Sequence, residues 1–285
     1  MAGVRWAAAN GARPLRPEDL GAAYALCARD PVAAVLASVR LDESGVRSYA
    51  GAGAWGTFEH GELQALAWVG PNIVPVSPSG RGLDQIAGAV IEQGRRFASL
   101  VGDATAVHAV WNRLALAWPE PRQVREQPSL ALATPPRIPG DVRVRPARPD
   151  EIDVMLPASV AMFTEEYGYS PLSAGGGYAA RVRQLLEAGR SFVVMEGEGP
   201  TARVLFKAEI GAMSLGVAQI QGVWVAPDAR GRGLGAAGTA AVVERARELG
   251  ARTVSLYVND YNTAARRTYR RVGFDQVGGY TTIVL

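Results

Sequence analysis

Residues 223–237 read Val-Trp-Val-Ala-Pro-Asp-Ala-Arg-Gly-Arg-Gly-Leu-Gly-Ala-Ala. β-Branched and aromatic residues end a strand, Pro-Asp breaks it, and small residues from Leu234 onward open a helix. Between the two, Gly231, Gly233 and Gly235 allow positive φ and close approach of a ligand to the backbone. Amides exposed at a helix N-terminus make an anion nest, and Arg230 and Arg232 add formal charge. A pyrophosphate suits such a loop. Two ligand classes carry one. Gly231-x-Gly233-x-x-Ala236 matches a dinucleotide fingerprint, and Asp260 lies near the distance for a ribose carboxylate. That site, however, wants its first glycine tight against the strand end, whereas Pro227–Arg230 intervene here.

The strand before the loop reads as half of a hairpin. Val217–Ala226 alternates Gln219 and Gln221 with Ile220 and Gly222, a period of two. Arg203–Ile210 is a second strand, and the short turn around Ser214–Gly216 makes the two antiparallel neighbours. Upstream, Ser191–Glu196 is a strand followed by a GEGP turn. Downstream come a helix over Ala236–Leu249, a strand over Thr253–Val258, a short helix over Thr263–Arg271 stopped by Gly273, and a strand in the tail Gly278–Leu285.

The chain repeats itself. RPLRPEDL (13–20) and RPARPDEI (145–152) share Arg-Pro-x-Arg-Pro, two acids and an apolar residue, and each precedes an apolar helical pattern. Acids after proline suit an electropositive helix start. SGRGLDQIAGAVIEQGRRFA (79–98) resembles ARGRGLGAAGTAAVVERARE (229–248), and each runs on to a short apolar stretch, Ala106–Trp111 and Thr253–Val258. Two matches in the same order favour a duplication. The proline-rich ATPPRIPGD (133–141) separates the copies, which places the halves at 1–137 and 138–285.

Composition excludes other classes. With 285 residues, 48% hydrophobic and 20% charged, the chain is globular and long enough for two domains. The uncharged stretches Leu63–Gly80 and Ile210–Pro227 are too rich in proline, glutamine or glycine to cross a membrane. MAGVRWAAANGARP has no apolar core for a signal peptide. Cys27 is the single cysteine, so no intrachain disulfide forms, which fits a reducing cytoplasm. Of 30 basic residues only Lys207 is a lysine, and the arginines are scattered, which gives nucleic-acid binding little support. His60 and His108 are isolated, so no metal site is expected.

Arg230-Gly-Arg-Gly233-Leu-Gly235 before a helix resembles the pyrophosphate loop of the GNAT acetyltransferases. Asn262-Thr-Ala-Ala265-Arg-Arg-Thr-Tyr269-Arg-Arg-Val-Gly273-Phe274 is similar to that superfamily's Asn-x-x-Ala-x-x-x-Tyr-x-x-x-Gly-Phe segment. The order and separation of the two segments also agree. GNAT domains commonly open with Arg-x-Arg-x-x-x-x-Asp before their first helix, which the octet at 145–152 and the residues just ahead of it resemble. The whole chain resembles tandem GNAT proteins of actinobacterial type, in which a segment like Met162-Phe-Thr-Glu-Glu-Tyr-Gly-Tyr-Ser-Pro171 follows the first helix.

The resemblance implies an α/β fold of two GNAT-like domains, each a mixed, mostly antiparallel sheet flanked by helices. It implies acetyl-CoA as co-substrate, held in the V between two splayed parallel strands, and a small-molecule or peptide amine as acceptor, acetylated by direct attack in a ternary complex. The edge amides of Val223 and Val225, flanking Trp224, would bind the pantetheine and polarise the acetyl carbonyl. The loop from Arg230 through Gly231, Arg232, Gly233, Leu234, Gly235 and Ala236 would hold the pyrophosphate. Asn262 would bond the pantetheine region, and Tyr269 would protonate the leaving thiolate. Some members carry a glutamate base where Gln219 stands here, so the carboxylates to consider are Glu165, Glu166 and Glu209. In the first half Asp84 replaces Gly235 and no Asn-x-x-Ala-x-x-x-Tyr segment follows, so that half is expected not to bind acetyl-CoA. A non-catalytic acyl-CoA-binding or regulatory module is the alternative of a different class. Amide formation on a sugar-thiol, as in mycothiol synthesis, is a narrower variant that no residue singles out.

Overall fold

A computed structural model describes residues 11–46, 52–197 and 199–285. The segment MAGVRWAAAN and Glu198 of the GEGP turn lie outside the described residues. Two compact units divide the chain. One holds the residues up to Ser129 together with Tyr257–Tyr261 and Gln276–Leu285; the other holds Leu130–Leu256 and Asn262–Asp275. The units therefore do not follow the contiguous halves 1–137 and 138–285, because the final strand groups with the N-terminal residues.

The first unit begins with β1 (Ala12–Pro14), α1 (Leu20–Cys27) and α2 (Pro31–Ser44). An antiparallel meander follows, β2 (Gly53–Glu59), β3 (Glu62–Val69) and β4 (Asn72–Val76), and then α3 (Leu83–Gln93), β5 (Ser99–Asp103), α4 (Ala104–Leu114) and β6 (Gln123–Leu132). The helix starts have identifiable causes. Asp30 precedes Pro31 and accepts the Ala33 N–H at 3.0 Å, and Asp103 accepts the Ala106 N–H at 3.1 Å. The apolar stretch Ala106–Trp111, matched in sequence to a strand of the second copy, is helical here. Its buried positions Ala106, Val107, Val110 and Leu114 recur every three to four residues, and Asp103 caps them.

In the second unit β7 (Arg145–Pro146) leads to α5 (Ile152–Tyr167), α6 (Gly177–Glu187) and three antiparallel strands, β8 (Ser191–Glu196), β9 (Arg203–Ser214) and β10 (Val217–Val225). Next come α7 (Leu234–Glu248), β11 (Thr253–Tyr257) and α8 (Thr263–Val272), with strand order β11-β10-β9-β8-β7. Only β11 joins its neighbour in parallel. The last strand, β12 (Asp275–Val284), pairs antiparallel with β5 of the first unit, and Ile283 is fully buried in that unit's core. Burying one such side chain stabilises the unit by roughly 1.5–3 kcal/mol. No described helix is long and apolar enough to cross a membrane.

The duplication read from sequence has matching local structure in the two units. In each, a short strand, a 3-10 turn and a helix follow one another, closed by a bidentate ion pair. Arg13 donates to Asp19 at 2.6 and 2.9 Å; Arg145 donates to Glu151 at 2.8 and 2.6 Å. In each, the acid also accepts a backbone N–H three residues earlier, from Arg16 at 2.7 Å and from Arg148 at 2.8 Å. The Gly-Arg-Gly turns also agree: φ is 73° and 77° at Gly80 and Gly82, and 76° and 81° at Gly231 and Gly233.

Candidate active site

The site is built where β10 leaves β11. The two strands pair only at Val217, Ala218 and Gln219 against Thr253, Val254 and Ser255, while β10 runs on to Val225. Before the separation, the Gly216 carbonyl accepts the Thr253 N–H at 3.1 Å, so even-numbered residues direct their backbone groups toward β11. Gly222, at φ 62°, then makes a bulge: the register with β9 passes from Gln221–Glu209 to Trp224–Lys207. Beyond it the Ala226 N–H donates to the Leu205 carbonyl at 2.9 Å. Ala226 and Trp224 thus turn their backbone groups to β9, and Val223 and Val225 turn theirs to the edge that β11 has left.

The strand ends in a 3-10 turn over Pro227–Ala229, and Gly233 begins α7 with no side-chain cap. Amides of the first turn of α7 are left for an outside acceptor. A Cβ on Gly231 or Gly233 would meet nothing within 4 Å, so the loop faces open space. Gly238 has a different reason to lack a side chain, because a Cβ there would lie 2.7 Å from the Phe206 ring.

Arg230 does not point away from the protein. Its Nε donates to the Val225 carbonyl at 2.9 Å, and its Nη2 lies 2.6 Å from Glu165 Oε2. Trp224 Nε1 donates to the other Glu165 oxygen at 3.1 Å. Glu165 therefore ties the end of α5 to the strand and loop. The segment 162–171, expected after the first helix, supplies the last turn of α5 up to Tyr167, and Gly168 ends it with φ 79°. Two glutamates at a helix C-terminus oppose the helix dipole. Arg230 offsets that for Glu165. Burial makes the hydroxyls of Tyr178 and Tyr269 harder to ionise; Glu166 adds to this at both, ranking after Glu209 at Tyr178. Phe163 stacks on Tyr167 at 4.2 Å and meets Tyr178 edge-on at 5.4 Å, giving this side of the sheet an aromatic floor.

Tyr269 is 7% exposed on α8 and packs edge-on against Phe274 at 6.1 Å. Burial, and next the Glu166 carboxylate, push its hydroxyl well above the ordinary 10.0, so it carries its proton at neutral pH. Asn262 caps α8: its Oδ1 accepts the Ala265 N–H at 3.1 Å. That is a physical cause for the Asn-x-x-Ala spacing, and the side-chain amide nitrogen takes no part in the cap.

The acetyltransferase (GNAT) family model matches residues 159–274, and a domain family of unknown function (DUF4081) matches 52–155. Residues 159–274 belong to the GNAT acetyltransferase family. A mycothiol acetyltransferase from Cellulomonas flavigena is 47% identical over 68 residues, 24% of this chain and 20% of that protein. The chain thus spans about a fifth of the length of the mycothiol acetyltransferases it matches. A GCN5-related N-acetyltransferase from Sphaerobacter thermophilus superposes over 95% of this chain and 94% of that one, with TM-score 0.56 and 21% identity. A tandem GNAT protein from the clavulanic acid biosynthesis pathway superposes over 96% and 97%, with TM-score 0.50 and 15% identity. At these identities the two structures speak for the fold.

The GNAT domain collects Val223, Trp224, Val225 and the loop 230–236 along one strand end, and it puts Glu165 against Trp224 and Arg230. Glu209 lies on the neighbouring strand, opposite Gln221 and against the Gly222 bulge. It is 7% exposed on β9, and its carboxylate lies 2.8 Å from Lys207 Nζ. Gln219 is 2% exposed, with its Oε1 making no hydrogen bond among the described residues. Sequence reasoning passed over Lys207 and Gly222. Their signal was present: the sole lysine of the chain, two residues before a glutamate, in an otherwise apolar strand. Among the described residues no three His, Cys, Asp or Glu side chains gather as metal ligands would.

Proposed function

We propose that this chain is an acetyl-CoA-dependent N-acetyltransferase acting on a primary amine, with one working site, in its second unit. The observation that carries this is the separation of β10 from β11 after Gln219 and Ser255, directly ahead of an open Gly-Arg-Gly loop. The free edge offers strand-like hydrogen bonding to pantetheine, and the helix N-terminus suits a pyrophosphate. Acetyl-CoA supplies the activated thioester. This chain's residues do the rest. The Val223 N–H polarises the acetyl oxygen as it gains charge. The Tyr269 hydroxyl, kept protonated at neutral pH by burial and by Glu166, donates a proton to the sulfur as negative charge develops there. Glu166, acting on the same side as Tyr269, favours a cationic acceptor and takes its proton. Glu165 instead positions Arg230 and Trp224.

A single site is favoured because the corresponding loop of the first unit is more crowded and carries a like charge. Pro75 removes an N–H from β4, and a Cβ on Gly102 of β5 would lie 3.6 Å from the Pro75 carbonyl. Positions beside Gly80 are taken by Ala109 and Thr105 of α4, and Gly82 is pressed against Thr57. Asp84 stands in the first turn of α3, where a pyrophosphate would meet a like charge.

The test is release of free CoA from acetyl-CoA, followed with a thiol reagent, against a panel of a polyamine, an aminoglycoside, an amino acid and a lysyl peptide. Amine-dependent release supports the reading. Stoichiometric binding with no release for any amine favours the acyl-CoA-sensing module instead.

A further inference from the structure

Lys207 is fully buried, and its ammonium has three neighbours. It lies 2.8 Å from Glu209 Oε1, donates to the Gly222 carbonyl at 3.0 Å, and reaches Met162 Sδ of α5 at 3.7 Å. A buried ammonium is expensive unless it is paired and hydrogen-bonded, and a chain that otherwise uses arginine keeps a lysine here. A compact point charge fits this space, where a planar guanidinium would not be equivalent. The third partner is the informative one. Gly222 is the bulge residue, at φ 62°, and a Cβ there would meet Glu209 Oε2 at 2.9 Å and Lys207 Nζ at 3.1 Å. The bulge and the ion pair are thus fitted to each other. The bulge also decides which amides face the open edge. Upstream of it even-numbered residues do; downstream Val223 and Val225 do. With no bulge, Gly222 and Trp224 would take that edge, and the Trp224 side chain would leave Glu165.

We infer that Lys207, held by Glu209, is a positioning residue: its hydrogen bond to the Gly222 carbonyl fixes the bulge that presents the Val223 N–H to the acyl carbonyl. This rests on the acetyltransferase reading for its consequence but not for its geometry. It also gives Glu209 a task other than proton abstraction, because its charge is committed to Lys207.

The test compares the parent with Lys207→Met and with Lys207→Met/Glu209→Gln. The double variant leaves no unpaired buried charge, so it keeps the question open to experiment if the single variant fails to fold. Amide hydrogen exchange over 220–226, in ligand-free protein, is expected to speed by about ten- to a hundredfold in both variants, the worth of one hydrogen bond to a charged group. Exchange in α7 stays at the parent rate. With carbonyl-labelled acetyl-CoA bound, the thioester C=O band shifts toward its free position, while the dissociation constant stays within about threefold because the loop at 230–236 is intact. A general-base role for Glu209 would move turnover but neither of these readouts. Parent-like exchange and an unshifted band in a folded double variant overturn the inference. If the parent itself binds no acetyl-CoA, the acetyltransferase reading falls, and the exchange measurement still decides for or against the brace.

Discussion

Tyr269→Phe separates chemistry from architecture, because it deletes one oxygen. The ring is 7% exposed and packs on Phe274, and no described residue hydrogen-bonds the hydroxyl. Phenylalanine keeps that packing. Removing a hydroxyl without a protein partner leaves no orphan behind, so stability should change by less than about 1 kcal/mol. If Tyr269 protonates the leaving thiolate, the loss is that of a general acid, about 10²–10⁴-fold in turnover. That corresponds to roughly 3–5 kcal/mol of transition-state stabilisation, far outside the stability effect. Acetyl-CoA affinity should be nearly unchanged, since the loop and strand edge do the binding. Burial and Glu166 raise the Tyr269 hydroxyl above 10.0, so turnover of the parent should also show no alkaline loss at an ordinary tyrosine value. The assay is CoA release under saturating acetyl-CoA, with calorimetric affinity and a urea midpoint measured on the same protein. Parent-like turnover with Phe at 269 would refute the argument and leave Tyr269 as a core residue.

Other consequences follow from the same geometry. Gly233→Ala meets open space at φ 81°, so only backbone strain opposes it, and it should destabilise by about 1–2 kcal/mol in urea unfolding. Gly82→Ala has the same strain at φ 77° plus a collision with Thr57, so its loss should be the larger; equal losses would show that Thr57 yields freely. Glu151 is held below its ordinary 4.5 by the hydrogen bonds from Arg145, opposed in part by burial. Its folded value is depressed, so its contribution is full above about pH 4.5 and is lost as pH falls through the lowered value. Urea midpoints between pH 7 and pH 3 should therefore fall less steeply for Glu151→Gln than for the parent, and parallel curves would contradict this. Glu165→Gln should weaken the contact to Arg230 and raise the acetyl-CoA dissociation constant more than the acceptor KM; the reverse order would put Glu165 among the acceptor contacts.

Much of the second unit was legible because its signals are local. Strand periodicity and the Gly-Arg-Gly turn are set by residues within a few positions of one another, and β8 and α8 begin where the sequence puts them. The repeated Arg-Pro-x-Arg-Pro octet was legible for the same reason: arginine, proline and an acid six residues on close a single ion pair. Long-range facts were not. Nothing near residues 275–284 says that β12 belongs to the first unit, since its partner β5 lies more than 170 residues away. The helix at Ala104–Leu114 was missed as a counterpart of α8 because α4 is apolar whereas α8 is arginine-rich, so the two share position and not pattern. In the site, the binding loop was readable and the proton-handling groups were only candidates. Glu165, Glu166 and Glu209 look alike in sequence. What distinguishes them is Arg230, Tyr269 and Lys207, each brought in by another element.

The most direct measurement is calorimetric titration of the full chain with acetyl-CoA, with NADP as the comparison ligand. One acetyl-CoA per chain and no NADP binding is the predicted result. Two sites per chain would contradict the single-site reading, and absence of acetyl-CoA binding would contradict the enzyme reading itself.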